Sequence, residues 1–475
     1  MKITGRQNQG LNISAAAVYK PHFTYFGFRY IRLDECPENV SLDNFTAIAI
    51  YSDMKRTGYI ETGSKKVNKL FENTLWSQKD NFIDIPTDCP QRDERMGWLG
   101  DAQVFAKTAI YNYNTKKFFS KWLGDLRAEQ RENGSVPDTV PNFWLLSRSS
   151  TAWGDAMTVI PWQLYLMYGD KKDLEVNFDA MKRWVDFMTN DSLDKYLWTC
   201  ADDSDKMWRK HYGDWLALDA PSGSYRGITP DNFIASAFYA YSTDILIKAG
   251  KVIGKGMSEY EELHRNIVST FKKTFTEYST QTECVLALYF NLTDDKAKTA
   301  KQLNDMIVSN GNKLKTGFVG TPYLLYALSE NGYAQTAYSL LLQEGYPSWL
   351  YEVNHGATTV WEHWDGIRDD GTFWSTDMNS YNHYAYGSVV DWLYSAAGGI
   401  KPVEQNSGFK EAVIAPVPDK RLGSINVSLD TAYGTIKSAW HYEGDKVCYE
   451  ITTPVKATII INGEEHLVVS GTYYF

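Results

Sequence analysis

Four carboxyl side chains lie within 14 residues of one another in this sequence. They are Asp88, Asp93, Glu94 and Asp101, and the surrounding segment 86–103 also holds two prolines and two glycines. That composition predicts a loop that ends at the start of a helix near Asp101. Carboxylates held close together raise the pKa of at least one of them. A carboxyl that stays protonated near neutral pH is what a general acid requires.

Two other interpretations of this segment are open from charge alone. It is compatible with a solvated loop of Arg–Asp pairs, and Asp101 is compatible with a simple N-cap. The segment also interleaves Arg92 and Trp98 with cysteine, proline and glycine. Solvated loops seldom combine so many residues that determine backbone shape, so we favour a catalytic loop.

A second group of chemically capable residues lies between 345 and 387. Glu362 stands between Trp361 and Trp364, and His383 follows among Asn and Tyr residues. A carboxylate framed by indoles is able to face a sugar ring and still hold a water. The alternatives are a buried, hydrogen-bonded carboxylate for Glu362 and a structural hydrogen-bonding role for His383.

Two short motifs place Trp beside Gly and Asp at predicted helix starts. One is Trp153-Gly-Asp155 and the other is Gly213-Asp-Trp215. Each is weak evidence for a site, because Gly-Asp pairs also serve as ordinary helix caps.

Composition narrows the classes of partner. The formal net charge of -10 argues against nucleic acid and anionic membranes, which are recognised by basic patches. Five scattered cysteines without CxxC spacing match neither a zinc site nor a disulfide framework, so neither is expected. Aromatic residues make up 15% of the chain, which suits either a carbohydrate site or an aromatic core.

Helical periodicity starts near residue 64 and recurs between loops that carry Gly and Pro. We predict helices at 65–79, 101–113, 115–131, 152–168, 172–189, 231–250, 257–276, 294–309, 320–330, 333–344 and 385–397. Very short loops within pairs make antiparallel neighbours. Because no sequence repeat of the solenoid kind is present, we predict a mainly α fold with an (α/α)6 toroid, also called a barrel.

Strand-like alternation flanks this helical region on both sides. Predicted strands lie at 23–33, 47–52, 427–429, 434–440, 447–452 and 457–461. We therefore predict a partial N-terminal β segment at 1–62, a catalytic domain at 63–400 and a small C-terminal β-sandwich at 401–475.

Three long motifs resemble one known family. The runs DCPQRDERMGWLGDAQ, GYPSWLYEVNHGATTVWEHWDG and MNSYNHYAYGSVVDWLY look like the signatures of family 78 glycoside hydrolases, the bacterial and fungal α-L-rhamnosidases. The similarity extends from about Phe23 to the C-terminus. It implies an (α/α)6 barrel with β-domains and hydrolysis of terminal α-L-rhamnosyl residues with inversion, without an organic cofactor.

The resemblance also implies a role for each site residue. Glu94 would be the general acid and Glu362 the general base. The rhamnose would be held by Asp88, Arg92, Trp98, Asp101 and His383, with Trp153 and Trp215 lining the pocket. The expected partners are rhamnose-containing glycosides or polysaccharides, and a homo-oligomer is an open expectation.

Alternatives remain at this point. Another (α/α)6 carbohydrate-active enzyme, such as a polysaccharide lyase, is one, and an inactive sugar-binding relative is another. Relatives carry several β-domains before the barrel, so we expect this sequence to begin inside the last of them. The N-terminus has no apolar signal segment, which predicts the cytoplasm, with the periplasm as the alternative if the front is truncated.

Overall fold

The middle of the chain is mostly helical, and most of the strands lie toward its two ends. The computed structural model describes residues 2–4, 8–10, 20–28, 30–34, 40–143, 149–199 and 211–475. The helices are α1 Lys65–Asn81, α2 Leu99–Asn112, α3 Lys116–Glu129, α4 Ala156–Tyr168, α5 Lys171–Asp191, α6 Asp231–Val252, α7 Ser258–Thr274, α8 Gln281–Tyr289, α9 Lys296–Ser309, α10 Thr321–Ser329, α11 Ala334–Leu341, α12 Trp349–Asn354 and α13 Val389–Trp392. A 3₁₀ turn, Ala385–Ser388, precedes α13, and a π-helical turn, Leu393–Ala397, follows it.

The strands are mostly short and lie largely in the C-terminal part. They are β1 Lys2–Thr4, β2 Asn8–Gly10, β3 Gly58–Thr62, β4 Phe82–Ile83, β5 Ile85–Pro86, β6 Ile400–Pro402, β7 Ala412–Ile414, β8 Ser424–Thr431, β9 Gly434–Glu443, β10 Lys446–Thr453, β11 Ala457–Ile461, β12 Glu464–Val468 and β13 Gly471–Tyr474. One sheet has the order β13-β10-β9-β8-β3 and another the order β12-β11-β7-β6. The pairs β1-β2 and β4-β5 form separate two-stranded ribbons.

Six helices form a closed inner ring. In order around the ring they are α2, α4, α6, α8, α10 and α13, each packs against the next, and α13 packs back against α2. The other helices pack outside this ring. The predicted (α/α)6 toroid is confirmed.

Burial explains why the helices divide in this way. Nearly every residue of α2, α8 and α10 is buried, as expected for helices surrounded by protein on all sides. The outer helix α7 buries only Tyr260, Ile267 and Phe271, which lie on one stripe. No helix in the described parts of the chain has the length and apolar character needed to cross a membrane.

Helix α8 was not among the predicted helices. Its residues are buried on every side, so its sequence carries little of the apolar–polar periodicity that reveals an amphipathic helix. Its N-terminus does carry a capping box, in which Thr280 and Glu283 each bind the other's backbone amide. This capping pair is the sequence feature that could have predicted the start of α8.

The predicted strands at 23–33 and 47–52 are wrong. In the structure, residues 23–28, 30–33 and 47–52 are not in strands, and residue 29 is outside the described residues. An alternating segment becomes a strand only where another strand accepts its hydrogen bonds, and no described strand pairs with either segment. Part of the first segment instead lies against the loop before α2, where Nη1 of Arg95 donates to the Tyr25 carbonyl oxygen at 3.1 Å.

The predicted C-terminal strands are confirmed as β8 to β11. The five-stranded sheet also contains β3, which comes from the N-terminal part of the chain. Strand β3 was placed in the N-terminal segment 1–62, but it pairs antiparallel with β8, with Ile60 opposite Val427. The β-domain is also tied to the helical domain by Trp440, whose indole N–H donates to the Ala397 carbonyl at 2.8 Å. The domain boundaries at 62 and 400 stay predictions.

Candidate active site

The loop before α2 is closed by Asp88. Its backbone N–H donates to the Met96 carbonyl at 3.0 Å, and its Oδ1 accepts from the Met96 N–H at 2.8 Å. Burial and then the charge of Glu94 raise the pKa of Asp88 to about 7. The clustered carboxyls predicted a raised pKa for at least one of them, and in the structure Asp88 has it.

Glu94 lies at the open side of the same loop. Its side chain is 32% exposed, and its Oε1 accepts a 2.9 Å hydrogen bond from the Trp98 indole. Arg92 donates to the other oxygen through Nη2. The carboxyl is therefore oriented by two donors and still reachable from outside.

Glu362 comes from a distant part of the chain and lies beside the same loop. It is 2% exposed, and its Oε2 accepts from the Ser380 N–H at 2.9 Å. Its own N–H donates to the Ser380 carbonyl at 2.9 Å. This reciprocal pairing fixes both the backbone and the carboxylate of Glu362.

Arg92 joins the two glutamates. Its Nη1 donates to Glu362 Oε2 at 3.0 Å, and its Nη2 donates to Glu362 Oε1 at 3.2 Å as well as to Glu94. Burial lowers the pKa of Arg92, but the charges of Glu362 and Glu94 outweigh it, so the pKa is raised overall. One guanidinium therefore brings together carboxyls that are 268 positions apart in the chain.

Asp101 and His383 form a second buried pair. Nε2 of His383 lies 2.8 Å from Oδ1 of Asp101. Burial lowers the pKa of His383, but the charges of Glu362 and Asp101 outweigh it and raise the pKa to about 9. The N-cap of α2 is Trp98, so the interpretation of Asp101 as an N-cap is wrong.

Trp153 belongs to the aromatic wall beside these charges. It packs over Gly100, where an added Cβ would lie 2.4 Å from the indole ring. Its ring centroid is 4.6 Å from that of Tyr212. Tyr212 also contacts Trp98 at 5.8 Å and Trp215 at 5.8 Å.

The same wall continues toward the surface. Trp215 contacts Tyr225 at 5.6 Å, Tyr225 contacts Trp374 at 5.9 Å, and Trp374 stacks on His363 at 3.6 Å. The predicted helix start at Trp215 is wrong, because this residue lies in a loop and α6 begins at Asp231.

Sequence reasoning missed Tyr212, Tyr225 and Trp374. Tyr212 directly precedes the motif at Gly213, so that motif was an available signal. Trp374 lies between the second and third signature runs, in a stretch without a recognised pattern. The three are connected only through ring contacts made in the folded chain.

Two buried aspartates keep the loops around the site in place. Asp155 accepts from the Ala152 N–H at 2.7 Å and from the Trp184 indole at 3.0 Å, so it fixes the turn that carries Trp153. Asp214 accepts from the N–H groups of Gly317 at 2.9 Å and Val319 at 2.8 Å. Burial raises the pKa of each aspartate to about 6.

This site is poorly suited to binding a metal cation. Asp88, Cys89 and Glu94 have ligand atoms within 4.8 Å of one another. Burial raises the pKa of the Cys89 thiol, which keeps it neutral and weakly ligating. Because Arg92 also neutralises Glu94, the group is suited to hydrogen bonding and proton transfer.

Sequence comparison with known proteins gives the family of this chain. Residues 55–397 match the bacterial α-L-rhamnosidase six-hairpin glycosidase domain, and residues 399–473 match the bacterial α-L-rhamnosidase C-terminal domain. An α-L-rhamnosidase of Formosa agariphila is 37% identical over 453 residues, which cover 93% of this chain and 48% of the relative. One from Streptomyces avermitilis is 35% identical over 450 residues, covering 93% of this chain and 42% of the relative.

Solved structures give the same result. The crystal structure of the Streptomyces avermitilis α-L-rhamnosidase complexed with L-rhamnose superposes with a TM-score of 0.88 and 33% identity, covering 96% of this chain and 45% of that one. The Aspergillus terreus α-L-rhamnosidase gives a TM-score of 0.87 and 36% identity, covering 96% and 54%. The chain spans about half the length of the curated relatives it matches. It belongs to the bacterial α-L-rhamnosidase family and carries that family's six-hairpin glycosidase domain and C-terminal domain.

Proposed function

We propose that this protein hydrolyses terminal α-L-rhamnosyl residues of glycosides or polysaccharides with inversion of configuration. Family membership supports the reaction class, and the similar Streptomyces avermitilis structure is described as bound to L-rhamnose. The observation that carries the proposal is the contact of one guanidinium, Arg92, with both Glu94 and Glu362. Two carboxyls on opposite sides of a pocket are the requirement of glycoside hydrolysis.

The proposed roles are those that the resemblance to family 78 glycoside hydrolases implies. Glu94, the more open of the two, would protonate the departing glycosidic oxygen. Glu362, deeply buried and fixed by Ser380, would deprotonate a water on the opposite face of the ring.

The remaining predicted site residues would hold the sugar. Asp88, Arg92, Asp101 and His383 supply charged hydrogen-bonding groups, and the fork of Arg92 suits neighbouring hydroxyls. Trp98, Trp153 and Trp215 supply apolar faces for the ring carbons and for the methyl group of rhamnose. Trp98 contacts Glu94 and Trp153 contacts Tyr212, which supports placing these tryptophans beside the charged groups.

The test is hydrolysis of a panel of α-L-rhamnosides by the wild type, Glu94→Gln and Glu362→Gln. We expect each substitution to reduce turnover by roughly 100- to 10,000-fold, the usual contribution of general acid–base catalysis. The loss in Glu94→Gln should be smaller for a nitrophenyl leaving group, which needs little protonation, whereas the loss in Glu362→Gln should not depend on the leaving group. The exposed loop carboxylate Asp93, as Asp93→Asn, is the matched control and should retain activity.

The stereochemistry gives an independent check. NMR of the first-formed product should show β-L-rhamnose, and an α-anomer would contradict inversion. Wild-type turnover by either glutamine variant would contradict the assigned roles. Tight rhamnose binding without turnover by the wild type would instead support the sugar-binding alternative.

A further inference from the structure

A third glutamate, Glu352, is buried beside the segment that leads to Glu362. It lies in α12 and is 3% exposed. Its Oε2 accepts a 2.8 Å hydrogen bond from the Trp361 N–H, and its carbonyl oxygen accepts one of 3.0 Å from the Ala357 N–H. Glu352 therefore holds the segment 357–361 at both ends.

The other supports of this segment act at different places. The Val360 N–H donates to the Ser77 hydroxyl at 2.8 Å, and the Asn73 amide donates to the Ala357 carbonyl at 2.9 Å. The Trp361 N–H is the last one before that of Glu362, and Glu352 is its acceptor. The carboxyl of Glu352 therefore orients the Val360–Trp361 peptide, and the next peptide, Trp361–Glu362, is held by the Ser380 carbonyl.

The surroundings of Glu352 favour an uncharged carboxyl. Burial raises its pKa to about 8, and the hydrogen bond from the Trp361 amide opposes this shift. Its Oε1 is buried and has no hydrogen-bond partner among the described residues. A protonated carboxyl still has an acceptor oxygen for the Trp361 N–H, so the contact does not require a charge.

Charged groups on the neighbouring elements are engaged elsewhere. At the C-cap of α12, Nε2 of His355 lies 3.2 Å from Oδ1 of Asp369. On α1, which packs against α12, Lys66 pairs with Glu344 at 2.6 Å, and Lys69 pairs with Glu72 at 2.9 Å. Among the described residues, no ion pair reaches the Glu352 carboxyl, so nothing of opposite charge compensates its ionisation.

We propose that Glu352 is a positioning residue: its carboxyl holds the Trp361 amide and so orients the backbone that leads into Glu362. The role in catalysis rests on the proposed function of Glu362 as general base. Ionisation of Glu352 strengthens its bond to the Trp361 amide but leaves an uncompensated negative charge in a buried site, so the surrounding backbone must rearrange to solvate it. Catalysis should then decline as Glu352 ionises at alkaline pH.

Two substitutions separate positioning from simple packing. Glu352→Gln keeps an acceptor oxygen and cannot ionise, so we expect wild-type kcat at pH 7 and a smaller decline of kcat between pH 7 and pH 9. Glu352→Leu removes the acceptor, and we expect kcat to fall at least about tenfold with KM nearly unchanged, because small misplacements of a catalytic group are costly. His383 titrates in all three proteins and therefore does not account for a difference between them.

Chemical unfolding tests the protonation state without any activity assay. Glu352 has a raised pKa in the folded state, so its contribution to stability is complete below the unfolded-state pKa of about 4.3 and is lost as the pH rises through about 8. Relative to Glu352→Gln, the unfolding equilibrium constant of the wild type should rise by up to about tenfold per pH unit across this window. The exposed Glu175 on α5, as Glu175→Gln, is the matched control and should follow the wild type.

The outcomes are distinct. A wild type that is active on rhamnosides, with Glu352→Leu equally active or Glu352→Gln showing the wild-type alkaline decline, would overturn the positioning role. A wild type that is inactive on every rhamnoside would overturn the proposed function itself. A rescued kcat and a flattened pH profile in Glu352→Gln, with the expected unfolding titration, would support the role.

Discussion

Nε2 of His383 and Oδ1 of Asp101 lie 2.8 Å apart inside the protein, although 282 positions separate the two residues in the chain. Asp101 is in the first turn of α2, and His383 lies two residues before the turn that leads into α13. Since α13 and α2 are the two helices that close the inner ring, this pair joins the start of the first helix to the segment that leads into the last one.

The pair should make stability depend on pH in a defined direction. The folded-state pKa of His383, about 9, is above its ordinary value of 6.5. The stabilisation is therefore complete below about pH 6.5 and is lost as the pH rises through about 9. At about 1.4 kcal/mol per pKa unit, the loss amounts to up to about 3 kcal/mol.

Urea unfolding at pH 6, 8 and 9.5 measures this loss. Compared with His383→Gln, the wild type should lose more free energy of unfolding between pH 6 and pH 9.5. His441 on β9 is largely exposed, so His441→Gln should follow the wild type. Parallel pH dependences for the wild type and His383→Gln would contradict a charged His383.

Replacing Arg92 by lysine should impair catalysis even though the charge is kept. The guanidinium contacts both oxygens of Glu362, the carboxyl of Glu94 and the Asp377 carbonyl, the last at 3.0 Å. An ammonium group lacks the planar fork needed for these contacts. We expect kcat/KM for an aryl α-L-rhamnoside to fall by at least about tenfold.

A second arginine close in sequence to Glu362 provides the control for this experiment. Arg368 pairs with Asp365 at 3.4 Å but is 46% exposed, and Arg368→Lys should change kcat/KM little. Equal effects of the two substitutions would argue that Arg92 acts through net charge and not through its geometry.

Gly100→Ala tests the packing beneath the aromatic wall. An added Cβ would lie 2.4 Å from one atom of the Trp153 indole and 2.6 Å from two more, so the ring must shift. We expect a destabilisation of about 1–3 kcal/mol, typical of overpacking, together with a loss of activity. Urea unfolding and steady-state kinetics measure the two effects.

A second helical glycine gives the matched control. Gly124 lies in α3, and its added Cβ would meet only the end of Arg127, at 3.6 Å. Gly124→Ala should stabilise the protein by roughly 0.5–1 kcal/mol, the helix-propensity difference, and leave activity unchanged. If Gly100→Ala behaved like Gly124→Ala, close packing of Trp153 on α2 would be contradicted.

Local patterns predicted most of the fold because they report local interactions. The outer helices and the strands from β8 to β11 carry clear periodicity, since one side of each faces solvent. Where burial is complete, as in α8, or where a partner strand is needed, as at 23–33, the pattern either disappears or misleads. The placement of β3 beside β8 was also not predictable, because pairing across more than 360 positions depends on the whole fold.

The sequence by itself determined which residues are chemically capable: two carboxyl-bearing motifs, their flanking tryptophans and the ring of helices that carries them. Residue types and short-range spacing suffice for that, because capping, turn formation and periodicity act over a few residues. Only the tertiary structure decided that Arg92 joins Glu94 to Glu362, that His383 pairs with Asp101 and that the Glu352 carboxyl accepts from the Trp361 amide. Those relationships arise from the meeting of distant segments at one end of the ring, where burial and opposed charges set each group's partners and protonation.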